Sequence, residues 1–492
     1  MWIEAAGRHG KVGPWKHCFA RHVGMTAKTE TLPFRPAPTG FEGSGLDDAV
    51  RDLITSYHDL NTTLIDELDS EPSPLEFMRY VCRNRPFVVR KGAEDWKARK
   101  LWNAEYLCRV MKDEMVNVAI TPHGNADSII ELEDDDLLFV KPHETHEPFT
   151  HVLRSIQSQE TSPLSSSPTP TRYAQTQNDN LRHEYSPLFA DVPKDIPFAK
   201  IALEKSPDAI NFWLGNSHST TALHKDNYEN IYVQILGNKH FTLLPPVEAA
   251  CVNEKAVLAA TYIPRDSVPS SRASTPPGLT ESSASSPVAD LTEPQQHEEA
   301  LKDLVVCVDE PEDSVPFATW DPDEPKKRAT PFSALSRALR VTLNEGDMLY
   351  LPALWYHKVT QSTSPSSSHL SCAVNYWYDL DFSGSFWPLS TFSRGIGLLS
   401  TLPQNEGKEE LDRERFEDEH LGEHVKMKAV MGMGVDEGAC MGGLEWQGMM
   451  EEIEDTLMRG VEGTRVVGEG DPEPEYEDCW EGFGYAVEVM HP

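Results

Sequence analysis

Thr221-Ala222-Leu223-His224-Lys225-Asp226 runs straight into the apolar strand Ile231-Tyr232-Val233-Gln234-Ile235-Leu236, and its reading decides the fold. Its counterpart lies more than a hundred residues on, in Asp347-Met348-Leu349-Tyr350-Leu351-Pro352-Ala353-Leu354-Trp355-Tyr356-His357. In His-x-Asp at strand spacing, His224 and Asp226 point to one face, because side chains alternate with a period of two. His-x-Asp by itself is a weak signal whose bland reading is a polar loop. With His357 it supplies two imidazoles and one carboxylate. Such a set on one face of an octahedral metal leaves three positions open, which suits Fe(II).

A lysine strengthens the pattern. Leu236-Gly237-Asn238 reads as a turn between two strands, and Lys239 follows it. A hairpin there would fold Lys239 back beside the ligands. A lysine facing into a barrel is costly unless it meets an anion, and a dicarboxylate would supply one.

Longer stretches carry a resemblance. They are Asn211-Phe212-Trp213-Leu214-Gly215, the run from Leu223 through Tyr228-Glu229-Asn230, and Gly237-x-Lys239-His240-Phe241. Further on come Gly346 through Trp355 and Ala373-Val374-Asn375-Tyr376-Trp377-Tyr378-Asp379. Over roughly residues 45 to 395 the chain resembles the JmjC branch of the 2-oxoglutarate and Fe(II)-dependent oxygenases, and within it the lysyl hydroxylase subfamily. The resemblance implies a mainly β fold with flanking helices, the double-stranded β-helix or jelly-roll barrel of cupins. It implies His224, Asp226 and His357 as iron ligands. It makes Lys239 the partner of the distal carboxylate of 2-oxoglutarate, with Thr221 and Tyr173 contacting the same group. Asn230 and Asn375 match amides near iron and cosubstrate, and strand hydrogen bonding is an equal reading of both.

The implied chemistry uses Fe(II), with 2-oxoglutarate and O₂ as cosubstrates. Oxidative decarboxylation yields succinate and CO₂ and returns a hydroxyl to an unactivated C–H bond. The leading expectation is hydroxylation of a lysine side chain in a protein substrate, by resemblance a developmentally regulated GTP-binding protein. N-methyl-lysine or methyl-arginine demethylation and histone-tail peptidase activity are alternatives. A cupin-like binding module without turnover is a third, and the intact ligand set counts against it.

The 492 residues carry a formal net charge of −35, which argues against a nucleic-acid-binding surface. Residues 401–492 hold 25 acidic and 7 basic side chains, −18 of that charge. Eight irregularly spaced cysteines with no Cys-x-x-Cys pair point to reduced thiols and a cytoplasmic, and also nuclear, setting. No apolar run of transmembrane length is present. Residues 1 to 24 are basic apart from Glu4 and weakly resemble a mitochondrial transit segment, with Met25 an alternative start.

Three regions follow from composition. Residues 1–44 read as a disordered or mis-started N-terminus. Residues 45–395 read as the oxygenase domain, with Ser/Pro-rich disordered insertions near 155–171 and 264–300. Loop closure grows costlier only slowly with length, so the cage should survive the second insertion. Residues 396–492 read as an acidic, largely disordered extension. An apolar stripe of Leu46, Val50, Leu53, Ile54, Tyr57 and Leu60 predicts a helix. His143 and His146 read as solvated loop residues. His420-Leu421-Gly422-Glu423-His424 fits the inverted zinc-peptidase pattern without an evident third ligand. Residues 446 to 459 fit one amphipathic helix. Family members often end in helices that pair two subunits, which would make a homodimer starting near Ser385-Phe386-Trp387-Pro388-Leu389, although the tail after 395 departs from that pattern.

Overall fold

The computed structural model describes residues 45–132, 136–162, 170–177, 179–268 and 299–401. The N-terminal 44 residues, the bulk of the second insertion, the His420–His424 motif and the expected helix at 446–459 lie outside the described residues.

Eight strands build the barrel: β1 (Ala209–Gly215), β2 (Thr221–His224), β3 (Tyr228–Leu236), β4 (Asn238–Leu244), β5 (Leu339–Leu343), β6 (Met348–Leu351), β7 (Tyr356–Ser362) and β8 (Ser371–Asp379). One sheet runs β6-β3-β8-β1 and is extended past β6 by Phe87–Val89 and Asp66–Leu68. The facing sheet runs β5-β4-β7-β2. Strands adjacent in sequence alternate between sheets except at β4 and β5, which pair within one sheet, and this is the winding of a double-stranded β-helix. The expected jelly-roll barrel is the observed fold.

β3 is buried along its whole length because both of its faces are covered. Ile231, Val233 and Ile235 pack on the helical side with Phe77, Leu107, Leu153 and Phe198. Tyr232 turns inward among Phe241, Leu243 and Trp355. One face of the larger sheet thus meets helices while the other lines the barrel.

The turn at Leu236-Gly237-Asn238 departs from expectation. It is not a hairpin, since β3 and β4 belong to opposite sheets and β4 pairs with β5 and β7. Gly237 is the corner where the chain crosses between sheets, at φ 64°. A Cβ there would lie 2.5 Å from the Leu370 carbonyl oxygen and 3.0 Å from that of Ser362.

The helix Pro74–Arg83 illustrates how outer elements hold the site. Ser73 caps it by accepting from the Glu76 amide at 3.2 Å, and Asn84 ends it in the left-handed conformation. The same Asn84 accepts from Trp355 Nε1 at 2.6 Å and donates to the Ala353 carbonyl at 3.0 Å. The turn before β7 is thereby pinned to a helix end.

Other expectations needed revision. The helix Leu46–Leu60 forms, but Val50 and Ile54 alone of the predicted apolar stripe are buried, while Leu46, Leu53 and Leu60 are exposed. Of the first insertion, 163–169 lie outside the described residues, and the described part has regular structure at both ends. Residues 155–161 complete the helix Phe149–Thr161, whose Val152, Leu153 and Ile156 join the core, and Thr171 opens the strand Thr171–Tyr173. His143 and His146 lie in the strand His143–Pro148, paired with Met115–Thr121. At the second insertion, Pro264 and Leu304 are register partners between Glu254–Pro264 and Leu304–Val308, so the flanks close on each other and the barrel is undisturbed.

Gly237→Ala should cost about 2–4 kcal/mol, because it combines left-handed strain with a backbone clash. Urea unfolding should show a lower midpoint with unchanged slope, and a midpoint matching the parent chain would refute this account of the corner.

Candidate metal centre and cosubstrate pocket

Antiparallel pairing of β2 with β7 places His224 directly opposite His357. Their ring centroids are 4.1 Å apart. Asp226 follows β2, and its carboxylate lies 3.8 Å from His224 Nε2 and 3.5 Å from His357 Nε2. One ligand atom from each of the three residues lies within 4.8 Å of the others. Among the described residues this is the only such metal-ligating group.

Both imidazoles are fixed by the main chain. His224 Nδ1 sits 2.8 Å from the Ala222 carbonyl oxygen, and His357 Nδ1 sits 3.0 Å from that of Trp355. A carbonyl can only accept, so each Nδ1 carries the proton and each Nε2 presents a lone pair to the centre. These partners could not be read from the sequence, because they are backbone atoms two residues away. Asp226 is steadied in turn by the Leu354 amide, which donates to its main-chain carbonyl at 2.8 Å. Burial, reinforced by the neighbouring His224, pushes His357 down to about 4. It therefore stays neutral and ready to bind a cation. Two imidazole nitrogens and one carboxylate, converging within 4.8 Å of one another, fit Fe(II).

Lys239 follows the Gly237 corner and points into the barrel, 1% exposed. Its ammonium donates to the Tyr173 hydroxyl at 2.9 Å and lies over the Tyr173 and Tyr232 rings. Burial pulls Lys239 down to about 7 and pushes the Tyr173 phenol up. Gly215 makes room for Tyr173: a Cβ there would meet the ring at 2.7 Å and Ser219 Oγ at 3.1 Å. Gln361 is the register partner of Lys239 on β7, and its amide donates to the Ser219 carbonyl at 3.4 Å. Gln361 Oε1 and Ser219 Oγ are buried without a protein partner. A buried cation inside the barrel, whose register partner Gln361 carries an unsatisfied polar atom, matches the needs of a small dicarboxylate. Ser219 and Gln361 were missed in the sequence, since neither belongs to a motif.

The remaining expected residues fall as follows. Thr221 lies at the start of β2 opposite Val359. Asn375 donates to Asn230 Oδ1 at 3.1 Å and accepts from Trp213 Nε1 at 2.9 Å, forming a buried amide ladder across three strands. Glu229, an acidic side chain near the motif, is structural. It accepts from the Tyr350 hydroxyl at 2.6 Å and the Ala353 amide at 3.2 Å.

Comparison with known proteins agrees with this geometry. The cupin-like domain family matches residues 72–384. An Arabidopsis thaliana protein, Lysine-specific demethylase JMJ32, is 34% identical over 330 residues, covering 65% of this chain and 83% of that protein. The human Bifunctional peptidase and (3S)-lysyl hydroxylase JMJD7 is 33% identical over 335 residues, covering 67% and 90%. JmjC domain-containing protein E of Dictyostelium discoideum is 30% identical over 353 residues, covering 67% and 92%.

The chain belongs to the cupin-like JmjC family. Its His224-Asp226-His357 cage is consistent with the Fe(II) site of JmjC 2-oxoglutarate oxygenases. No described helix of this JmjC protein is long and apolar enough to cross a membrane.

Because His357 is held near 4 against an ordinary 6.5, the unfolded chain takes up a proton that the folded chain refuses as pH falls between those values. The metal-free protein should lose about 3 kcal/mol from this residue over that window. Thermal melts of metal-free protein from pH 7 to pH 4 should show a shallower decline for His357→Leu than for the parent chain; parallel declines would refute it.

Proposed function

We propose that this protein is an Fe(II)- and 2-oxoglutarate-dependent hydroxylase acting on a lysine side chain of a protein. The observation that carries the oxygenase reading is the pairing of the three-ligand cage with the buried Lys239 ammonium. His224, Asp226 and His357 would hold Fe(II). Lys239 would neutralise the distal carboxylate of 2-oxoglutarate, with the Tyr173 hydroxyl beside it and Thr221 contributing a hydroxyl. Bound iron supplies activation of O₂ coupled to decarboxylation of the cosubstrate. The protein's own task is to bind and orient. Main-chain carbonyls fix which nitrogen of each imidazole faces the centre, and the apolar interior around Tyr232, Phe241 and Trp355 excludes water.

Lysine as the target is supported by the human relative, named as a lysyl hydroxylase and matched over 90% of its length. The Arabidopsis thaliana relative, named as a demethylase, supports the second reading, removal of an N-methyl group at the same centre. The described residues contain no second metal-ligating cluster of the kind a zinc reader module would bring, which favours the first. A GTP-binding protein as partner rests on the sequence resemblance alone.

Incubation of lysine-containing GTPase peptides with the protein, Fe(II), 2-oxoglutarate and O₂ should give a product one oxygen heavier on lysine by mass spectrometry, absent with His357→Ala. Loss of a methyl group from a methyl-lysine peptide, with no gain of oxygen on lysine, would replace hydroxylation by demethylation. Separately, Lys239→Met should stabilise the cosubstrate-free fold by about 1–4 kcal/mol, since an unpaired buried ammonium gives way to an apolar side chain. The same variant should lose the upward shift in melting temperature that 2-oxoglutarate gives the parent chain. A retained shift would refute the role of Lys239.

A further inference from the structure

Asp127 stands out among groups the proposed chemistry does not use. It follows the loop that leaves the strand Met115–Thr121, and this loop is clasped to the segment feeding β2. The Thr220 amide donates to the Gly124 carbonyl at 2.8 Å. Gly124 has φ 73°, and a Cβ there would lie 1.8 Å from the His218 carbonyl oxygen, so the loop lies directly against the entry to β2. The strand that follows Asp127, Ser128–Glu131, touches β2, which ends in His224.

A second element orients the carboxylate. Gln175 lies two residues beyond Tyr173, the partner of Lys239, just past the end of the strand Thr171–Tyr173. Its side-chain amide donates to Asp127 Oδ2 at 3.1 Å. The acid lies within electrostatic reach of the His224 imidazole. Asp127 itself adopts φ 51°, a left-handed backbone in a residue other than glycine.

Among the described residues the Asp127 carboxylate makes no ion pair. Lys141, an ammonium within electrostatic reach of it, is committed to Asp309 at 2.7 Å. The other nearby charge, Glu144, has the same sign. Burial pushes the Asp127 acid up to about 6. Asp127 is half-buried, and a carboxylate held near a metal cage in a left-handed backbone, with a neutral amide as its hydrogen-bond partner, is arranged for a cation that arrives with the substrate.

We propose that Asp127, oriented by Gln175, is the subsite that takes the ammonium group of the target side chain as it enters beside His224. The proposal deepens the lysyl hydroxylase reading and rests on it for the identity of that cation. The ammonium would form a charge-assisted hydrogen bond to Asp127 while the alkyl chain passes the cage. Specificity would follow: a neutral side chain of equal length leaves Asp127 unpaired.

The test needs no turnover. The full chain loaded with Mn(II) and 2-oxoglutarate would be titrated with n-butylammonium, the side chain of lysine alone, and with n-butanol as the neutral control. Paramagnetic broadening of the proton resonances reports binding close to the cage. Broadening of n-butylammonium should saturate, and the affinity should fall about tenfold or more in Asp127→Asn, with Mn(II) binding by electron paramagnetic resonance unchanged. The n-butanol signals should be weakly and equally broadened in both proteins. Equal n-butylammonium affinity in the parent chain and Asp127→Asn would overturn the proposal, and so would a parent chain that does not prefer the ammonium to the alcohol. Should Asp127→Asn fail to hold Mn(II), Gln175→Met replaces it: weaker n-butylammonium binding supports the subsite and unchanged binding overturns it. Charge-dependent broadening without any hydroxylated lysine in mass spectrometry would leave the subsite standing and remove lysyl hydroxylation alone.

Discussion

The register between β2 and β7 sets His224 opposite His357, and the rest of the centre depends on it. β2 is four residues long, so a slip of one position would turn His224 to the other face and leave the carboxylate of Asp226 without its partners. Two neighbouring contacts hold the register. The Leu354 amide ties the turn before β7 to the Asp226 carbonyl, and Asn84 clamps the same turn through Trp355 and Ala353. Leu354 takes φ 66° to make its bond, a conformation uncommon for a branched side chain. The local strain is sustained because Glu229 receives the Ala353 amide from beneath.

Lys239 poses the opposite problem, a charge placed where the fold alone has little use for it. Its flexible stem crosses the packed interior, and its ammonium ends on one neutral phenol. Without an anion the barrel accommodates this by lowering the proton affinity of Lys239 to about 7. An arriving dicarboxylate would restore the charge and satisfy it in one step. Such an anion would also bear on the β4–β7 pair, because Lys239 and Gln361 are register partners across it.

The barrel and the cage were largely legible because they obey short-range rules. His224 and Asp226 declare a shared face through strand alternation, and Lys239 declares itself as a cation following a glycine corner. The corner was misread as a hairpin, because a turn signal says nothing about which sheet receives the next strand. Residues 155–161 were misread as disordered: their Ser and Gln content hides the continuation of a helix whose apolar positions, Val152, Leu153 and Ile156, straddle the boundary. Ser219, Gln361 and Asp127 were invisible for another reason. Each lies outside the motif strands or bears an unremarkable polar side chain, and its role arises from tertiary neighbours. The imidazole partners are backbone carbonyls, which no side-chain pattern can reveal.

The alternation that turns His224 and Asp226 inward also turns Lys225 outward, and this ties the cage to the end of the described chain. Lys225 lies 3.8 Å from Glu254 and over the Tyr356 ring. Burial alone would raise Glu254, but Lys225 and Arg394 together hold it below the usual carboxylate range. Arg394 belongs to the helix Phe386–Thr401, and its Nε donates to Glu254 at 2.8 Å. Tyr356, beside the metal ligand His357, approaches the same carboxylate at 3.5 Å. One buried acid thus joins the residue between two ligands, the residue before the third, and the C-terminal helix. Removing one member of such a group leaves an uncompensated charge behind the cage, at a cost of about 3–5 kcal/mol. The helix is consequently part of the scaffold that keeps the three ligands converged, even though none of its side chains enters the centre.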